Sequence, residues 1–225
     1  MNCCPECRAA GSQVLRRGAV CGAGMLALLA LSPAAGAGQD WEPDGGFQVG
    51  LALQTDIIGA DDPAGDVDPN TVFIDEVGAG IGLHIGYAFT PSFALRLNVG
   101  AAGHDTNQDD LTAVHASSLL EAHWRFVTGT RMRPYLLLGL GAGSMRVESE
   151  IWDSEISGGV AAFGGGFLYS FSRHLALDMS ARLHLINWDT VKLTAHLPGG
   201  DFSSQTPVDE EGSAGKLQAG LVWDF

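Results

Sequence analysis

The chain ends with KLQAGLVWDF, residues 216–225, in which polar and apolar positions alternate up to the last residue. Successive side chains of a β-strand point to opposite faces, so this segment predicts a strand with two different faces. The apolar face carries Leu217, Ala219, Leu221, Trp223 and Phe225. A strand normally needs a neighbour to cover its edge, and we therefore expect this one to pair with another strand of a closed sheet.

The same alternation occurs in seven earlier segments. In order along the chain, the eight runs are residues 46–57, 74–89, 93–100, 111–127, 135–147, 157–171, 175–186 and 216–225. Short turns and longer polar segments join them alternately, which is typical of an up-and-down antiparallel meander. The sequence thus predicts an all-β fold, an eight-stranded up-and-down antiparallel transmembrane β-barrel.

The polar face of these runs carries charge as well as glycine. The charged positions on it are Arg96, Glu121, Arg125, Asp178, Arg182 and Lys216. A narrow barrel lumen accommodates small residues and paired charges, while the leucine-rich face suits lipid. Unpaired charges in such a lumen would be costly, so we expect a stabilising charge network rather than an active site.

Aromatic residues gather near the ends of the runs. Interfacial aromatic girdles occupy that position in membrane barrels. The residues expected in the girdle are Tyr87, Phe89, Trp124, Phe126, Tyr135, Tyr169, Phe171, Trp223 and Phe225.

The N-terminus predicts a cleavable signal peptide. Arg16 and Arg17 precede an apolar run over residues 19–31, and Ala35-Gly36-Ala37 fits the cleavage pattern. We expect an N-terminal extension and signal at residues 1–37 and a barrel domain at 38–225. All four cysteines precede the cleavage point, so no disulfide is expected in the mature chain.

The mature chain is acidic. Removing residues 1–37 takes away three of 12 basic and one of 26 acidic residues, leaving nine and 25, a net charge of −16. Nucleic acid is therefore excluded as a partner. The acids concentrate in four expected loops, about 58–73, 103–110, 148–156 and 187–212. Solvated loops explain them, and divalent-cation bridging to anionic lipid headgroups is a further possibility.

A signal peptide, eight alternating runs and a final phenylalanine together resemble the small outer-membrane β-barrels of the OmpA, OmpX and OmpW type. The resemblance implies a bacterial outer-membrane protein that contacts membrane lipid, with Leu221, Trp223 and Phe225 read as an assembly signal by the barrel assembly machinery. It also implies periplasmic short turns and extracellular loops. We expect a monomer without a cofactor and with a structural or surface-interaction role, whose extracellular ligand the sequence does not name.

Two other functions fit a small barrel. One is a narrow pore or path for a small or hydrophobic molecule, since the lumen-facing glycines reduce interior bulk. The other, a lipid A deacylase-like enzyme, is implied by a resemblance in architecture to the lipid A deacylases, small barrels that use a His-x-Ser pair with a glutamate. His115, Ser117 and Glu121 share one parity here, as a base, a nucleophile and an acid would need. The remaining histidines show no metal-ligand spacing, and we expect no metal site.

Overall fold

The computed structural model describes residues 45–59, 74–107, 111–149, 151–197 and 199–225. The described residues form eight strands: β1 (Gly46–Ile58), β2 (Val77–Thr90), β3 (Phe93–His104), β4 (Thr112–Arg125), β5 (Met132–Glu148), β6 (Trp152–Ser170), β7 (Leu175–Leu197) and β8 (Gly200–Asp224). Each strand pairs antiparallel with the next, and β8 pairs with β1 to close a barrel. The expected fold class is confirmed. The expected signal peptide and most of the first acidic loop lie outside the described residues.

The C-terminal strand closes the ring. Val49 faces Trp223 and Leu51 faces Leu221 across the β1–β8 seam. The Phe225 amide donates to the Phe47 carbonyl at 2.9 Å, and the two rings lie 6.2 Å apart. Because β1 covers its edge, β8 needs no other cover.

Because polar and apolar residues alternate along each strand, buried and exposed side chains alternate as well. In β3, Arg96 and Asn98 are buried, while the intervening Leu97 is 40% exposed and Val99 is 46% exposed. Neighbouring strands keep the same phase, so exposed apolar side chains cover the outside of the barrel, and the interior holds polar side chains together with two buried apolar clusters. Within the described part of the chain, no helix has the length and apolar character required to cross a membrane.

Several inward glycines make room for large side chains from neighbouring strands. A Cβ atom on Gly86 would lie 2.5 Å from the Leu95 carbonyl oxygen and 2.6 Å from Cγ of Arg96. One on Gly166 would lie 2.2 Å from the Met179 carbonyl oxygen and 2.8 Å from the Tyr135 hydroxyl. Distances this short do not occur around real Cβ atoms, so these positions require glycine. At these positions the missing side chain does not widen the lumen, because a neighbouring polar residue occupies the space.

The barrel has a short-turn end and a long-loop end. The short-turn end carries the turns after β2, β4 and β6, together with the start of β1 and the end of β8. Exposed aromatic pairs line this end, with Tyr87 against Phe89 at 5.1 Å and Tyr169 against Phe171 at 5.5 Å. Tyr135 does not belong to this girdle, contrary to expectation, because its side chain is buried in the lumen beside Asp178.

Strands β6, β7 and β8 continue past the barrel wall at the long-loop end. We call residues 152–157, 188–197 and 200–211 the extension, since they form a paired three-stranded sheet. β8 has 25 residues, against the ~9 to 11 that a tilted strand needs to cross a membrane. The expected loop at 187–212 is therefore wrong: most of it is a β-hairpin. Parts of the expected loops at 103–110 and 148–156 are likewise strand, because backbone pairing does not require an apolar face.

Candidate functional site

The lumen contains layers of polar side chains held by hydrogen bonds across the barrel. Nearest the short-turn end, Gln48 accepts from Arg125 Nη2 at 2.5 Å and donates to Asp224. Arg133 donates to the Ser170 hydroxyl at 3.1 Å in the same layer. The bonds of Gln48 connect β1 with β4 across the lumen and with β8, while the Arg133 bond joins the neighbouring strands β5 and β6.

The next layer is built around Asp178 on β7. Its carboxylate accepts from Arg96 Nη1 on β3 at 2.6 Å and from the Tyr135 hydroxyl on β5 at 2.6 Å. The Tyr135 ring lies 4.8 Å from the ring of His123. The charge-assisted Arg96–Asp178 pair thus joins β3 to β7 across the lumen, and Tyr135 ties β5 to the same carboxylate.

Glu121 on β4 holds a second buried pair. Its Oε2 accepts from Arg182 Nη2 at 3.2 Å and lies 2.9 Å from Nε2 of His123, and Arg182 Nε lies 3.2 Å from Oε1. Arg182 also donates to Gln218. The side chains of Glu121 and Arg182 are 0% and 3% exposed, so water does not screen this pair.

A third cluster, which we call the upper cluster, lies toward the long-loop end. It consists of Asp56, His104, His115, Ser117 and Lys216. Asp56 Oδ2 lies 2.9 Å from Nδ1 of His115 and 3.4 Å from the Lys216 ammonium, which donates to Ser117 at 3.0 Å. One possible ligand atom from each of Asp56, His104 and His115 lies within 4.8 Å of the others, so these residues could hold a metal ion.

An apolar layer adjoins the upper cluster. It contains buried Ile58, Leu119, Val160 and Ile186, with Ala162 and Ala214 between them. Side chains of this layer and of the polar layers thus point into the interior of an eight-stranded barrel, which is just wide enough for side chains to fill.

The six charges singled out in the sequence all lie in the lumen, but not in one network. Arg96 pairs with Asp178 and shares the Gln48 side-chain oxygen with Arg125. Glu121 and Arg182 form a separate pair, and Lys216 belongs to the upper cluster. Their exposure ranges from 0% to 7%.

Sequence reasoning did not place Asp56, Arg133 and Asp224 among the interior charges. All three are buried in the lumen. Their positions in the alternation could have shown this, because each lies between or beside outward-facing residues of its strand. Among the described residues, the lumen therefore holds five buried Lys or Arg cations and four buried carboxylates.

The residues of the deacylase hypothesis do not assemble into a catalytic triad. His115 bonds Asp56, Ser117 accepts from Lys216, and Glu121 pairs with His123 and Arg182. A base, a nucleophile and an orienting acid must contact one another in sequence, and these three residues each contact other groups instead.

Leu221, Trp223 and Phe225 lie on the outer surface of β8 and beyond its end. They are 50%, 50% and 70% exposed. Their side chains are thus available to lipid or to another protein, while the β8 backbone is engaged with β1 and β7.

An exposed ionic cluster lies on the extension and the adjoining end of β5. His196 is 3.0 Å from Asp201 and 3.2 Å from Asp153, and Asp153 is 2.9 Å from Arg146. The hydrogen bonds to Asp201 and then Asp153 raise the pKa of His196, while those from Arg146 and then His196 lower the pKa of Asp153. This cluster ties β7 to β6 and β8 outside the barrel.

A closed ring of eight strands, with an apolar outer surface and a lumen full of paired charges, defines a transmembrane β-barrel. A model of the family described as "Outer membrane protein beta-barrel domain" matches residues 23–225. The chain belongs to this family and is a protein of the bacterial outer membrane. No curated protein sequence matches the chain.

Solved structures of small outer-membrane barrels resemble this fold. Neisserial surface protein A matches with a TM-score of 0.55 and 14% identity, over 80% of this chain and 97% of its own. Ail of Yersinia pestis, in complex with the heparin analogue sucrose octasulfate, matches with a TM-score of 0.51 and 14% identity, over 81% and 99%. A major outer membrane protein from Thermus thermophilus matches with a TM-score of 0.51 and 14% identity, over 80% and 99%. At these identities the likeness concerns the fold.

Proposed function

We propose that this protein is a non-conducting barrel that presents the extension at the cell surface to bind a positively charged partner. The observation that carries the proposal is the combination of a filled lumen with a long, paired and acidic extension. A pore would need an open lumen, and a purely structural barrel would not need a long acidic extension.

The lumen supports the non-conducting part of the proposal. Arg96 to Asp178 and Glu121 to Arg182 are buried ion pairs that cross it, and the apolar layer lies beyond them. Moving a hydrated solute through the barrel would require breaking such pairs, and each broken pair costs about 3–5 kcal/mol. This geometry disfavours the pore that lumen glycines suggested.

The charge of the extension supports a cationic partner. Its β8 strand carries the exposed acids Asp201, Asp209, Glu210 and Glu211, while Lys192 is an exposed cation on β7. Complementary charge steers partners toward such a surface and rejects those of the same sign. Ail was solved with a polyanionic heparin analogue, and the acidic extension here suits the opposite class of ligand.

Two measurements test the proposal. First, the purified mature barrel in planar bilayers should give no discrete conductance steps; sustained steps would refute the non-conducting part. Second, the barrel in lipid nanodiscs should bind poly-lysine, and added salt should weaken this binding because screening reduces exposed charge interactions.

A matched pair of variants locates the binding surface. One variant neutralises Asp209, Glu210 and Glu211 on the extension, and the other neutralises Asp75, Glu76 and Asp105, which are exposed at the barrel mouth. The first should lose most of the poly-lysine binding and the second should retain it. Equal loss in both would show nonspecific attraction to an acidic protein and would contradict a role for the extension.

A further inference from the structure

The upper cluster brings three metal-ligating side chains together from three different strands. Asp56 lies on β1, His104 on β3 and His115 on β4, and all three are 0% exposed. One ligand atom from each lies within 4.8 Å of the other two. Such a group of two imidazoles and a carboxylate is the ligand set of many three-residue zinc sites.

Each of the three residues has a buried polar atom without a hydrogen-bond partner. These atoms are Asp56 Oδ1, His104 Nε2 and His115 Nε2. Leaving such an atom unsatisfied costs about 1–3 kcal/mol, so His104 Nε2 and the Asp56 carboxylate, which lie close together beside Gly78, are unfavourable unless something binds between them.

The hydrogen bonds of the two histidines fix which ring nitrogen is available. His104 Nδ1 lies 3.0 Å from the Asp75 carbonyl oxygen, and His115 Nδ1 lies 2.9 Å from Asp56 Oδ2. The Asp75 carbonyl oxygen only accepts, so His104 Nδ1 carries the proton and its Nε2 keeps a free lone pair, and this outer hydrogen bond orients the ring as in metal-binding histidines. In His115 it is Nδ1 that faces Asp56. A metal ion shared with Asp56 would replace the proton between these two atoms, and the proton of His115 would then lie on Nε2.

Gly78 holds the position of His104. A Cβ atom there would lie 2.5 Å from His104 Nε2 and 2.6 Å from Cδ2. Gly78 pairs with Asp56 in the β1–β2 ladder, so its missing side chain leaves His104 room next to Asp56. The glycine thereby allows two ligands from non-adjacent strands to approach.

We propose that Asp56, His104 and His115 form a binding site for one divalent transition-metal ion of the zinc class. Nitrogen-rich ligand sets select such ions over Mg²⁺ and Ca²⁺, which prefer oxygen. Tetrahedral ligands at about 2.0–2.1 Å from zinc are about 3.3 Å apart. His115 Nδ1 and Asp56 Oδ2 already lie 2.9 Å apart, so most of the adjustment on binding falls to His104, which would move by at most about 1.5 Å. The exposed carboxylates of Asp75, Glu76 and Asp105 at the mouth raise the local cation concentration.

Lys216 weakens the site, so replacing it provides a second test, in which metal affinity should rise rather than fall. Its ammonium lies 3.4 Å from the Asp56 oxygen that also contacts His115. It repels a metal cation and competes for the carboxylate. Replacing Lys216 with methionine should therefore tighten metal binding, whereas a variant that merely loosened the barrel would weaken it.

The experiment measures Zn²⁺ binding to the refolded mature chain, prepared without a histidine tag, by calorimetry in detergent. The wild type should bind one Zn²⁺ per chain, and His104→Ala should raise Kd by more than ~100-fold. Two controls each remove another histidine. His84→Ala removes a buried lumen histidine outside the cluster, and His196→Ala removes the exposed histidine of the extension; both should retain wild-type affinity.

Other outcomes overturn the proposal. They are the absence of Zn²⁺ binding to the wild type, unchanged binding by His104→Ala, or loss of binding by His196→Ala, which would place the ion on the extension. If His104→Ala fails to fold, as judged by heat modifiability, the visible absorption spectrum of Co²⁺ bound to the wild type provides the test instead. An intense visible band indicates four-coordinate nitrogen-containing ligation as proposed, and a weak band typical of six oxygen ligands refutes it.

Discussion

Replacing Glu121 with glutamine should destabilise the barrel mainly by leaving Arg182 without its counter-charge. Glutamine keeps the size and shape of the side chain, so packing changes little. The lumen already holds one more Lys or Arg cation than carboxylates among the described residues, and this substitution increases the excess. Arg182 retains Gln218 and the amide oxygen of the new glutamine as acceptors, but it loses the negative charge of the carboxylate.

The burial of the pair sets the size of the effect. Arg182 and Glu121 are 3% and 0% exposed and meet at 3.2 Å, so solvent screening does not reduce the interaction. Removing one partner of such a pair costs about 3–5 kcal/mol, because the remaining charge is left buried. Arg182→Met in the Glu121→Gln background removes that charge, and we expect a coupling energy of about 0.5–3 kcal/mol.

The assay is a denaturant titration of the four proteins of this cycle, refolded in lipid vesicles, with the folded fraction read from a heat-modifiability gel. Additive losses in the double variant would refute compensation between the two residues. A surface pair provides the control: Arg146 and Glu148 meet at 2.9 Å but are 46% and 60% exposed. Their cycle should give a coupling of at most about 1 kcal/mol, since exposed pairs are screened.

Three further predictions follow from the fold. Deleting Phe225 should reduce the compact, membrane-inserted fraction several-fold, whereas Phe202→Ala, which removes another exposed ring, should not; equal amounts on fractionation gels would contradict a C-terminal assembly role. Gly86→Ala should lower the free energy of unfolding by about 1–3 kcal/mol in a denaturant titration because of overpacking. Gly103→Ala, with open space around it, should be neutral or stabilising by up to about 1 kcal/mol. Similar losses in both variants would show that room for Arg96 does not matter. Because the pKa of His196 is raised, its contribution to the extension is complete below the ordinary value of 6.5 and is lost as pH rises through the raised value. Amide exchange in residues 188–211 should therefore show less protection at about pH 9 than at about pH 6 after correction for intrinsic rates, and His196→Gln should remove the difference.

The faces of the strands were readable from the sequence. Alternation in KLQAGLVWDF and in the other runs predicted which positions face lipid, and the burial of Arg96, Glu121 and Lys216 agrees with that parity. This succeeded because side-chain direction along a strand repeats every two residues and depends on the local backbone alone.

Strand length was harder to infer. The extension has no continuous apolar face, so its β7 and β8 parts read as a polar loop, although residues 188–197 and 200–211 pair as a hairpin. Tyr135 was misplaced for a related reason: its position at the end of a run suggested a girdle, but its parity with Leu137 places it inside. In both cases backbone pairing and parity outweighed residue type.

Only the tertiary structure decided which inward residues meet. Glu121 and Arg182 are 61 positions apart along the chain, and His115 and Asp56 are 59 apart. The sequence alone determined that these side chains point inward, because alternation is a local property. Their height in the barrel depends on the pairing register of every strand between them and on the closure of β8 against β1, which no local pattern encodes.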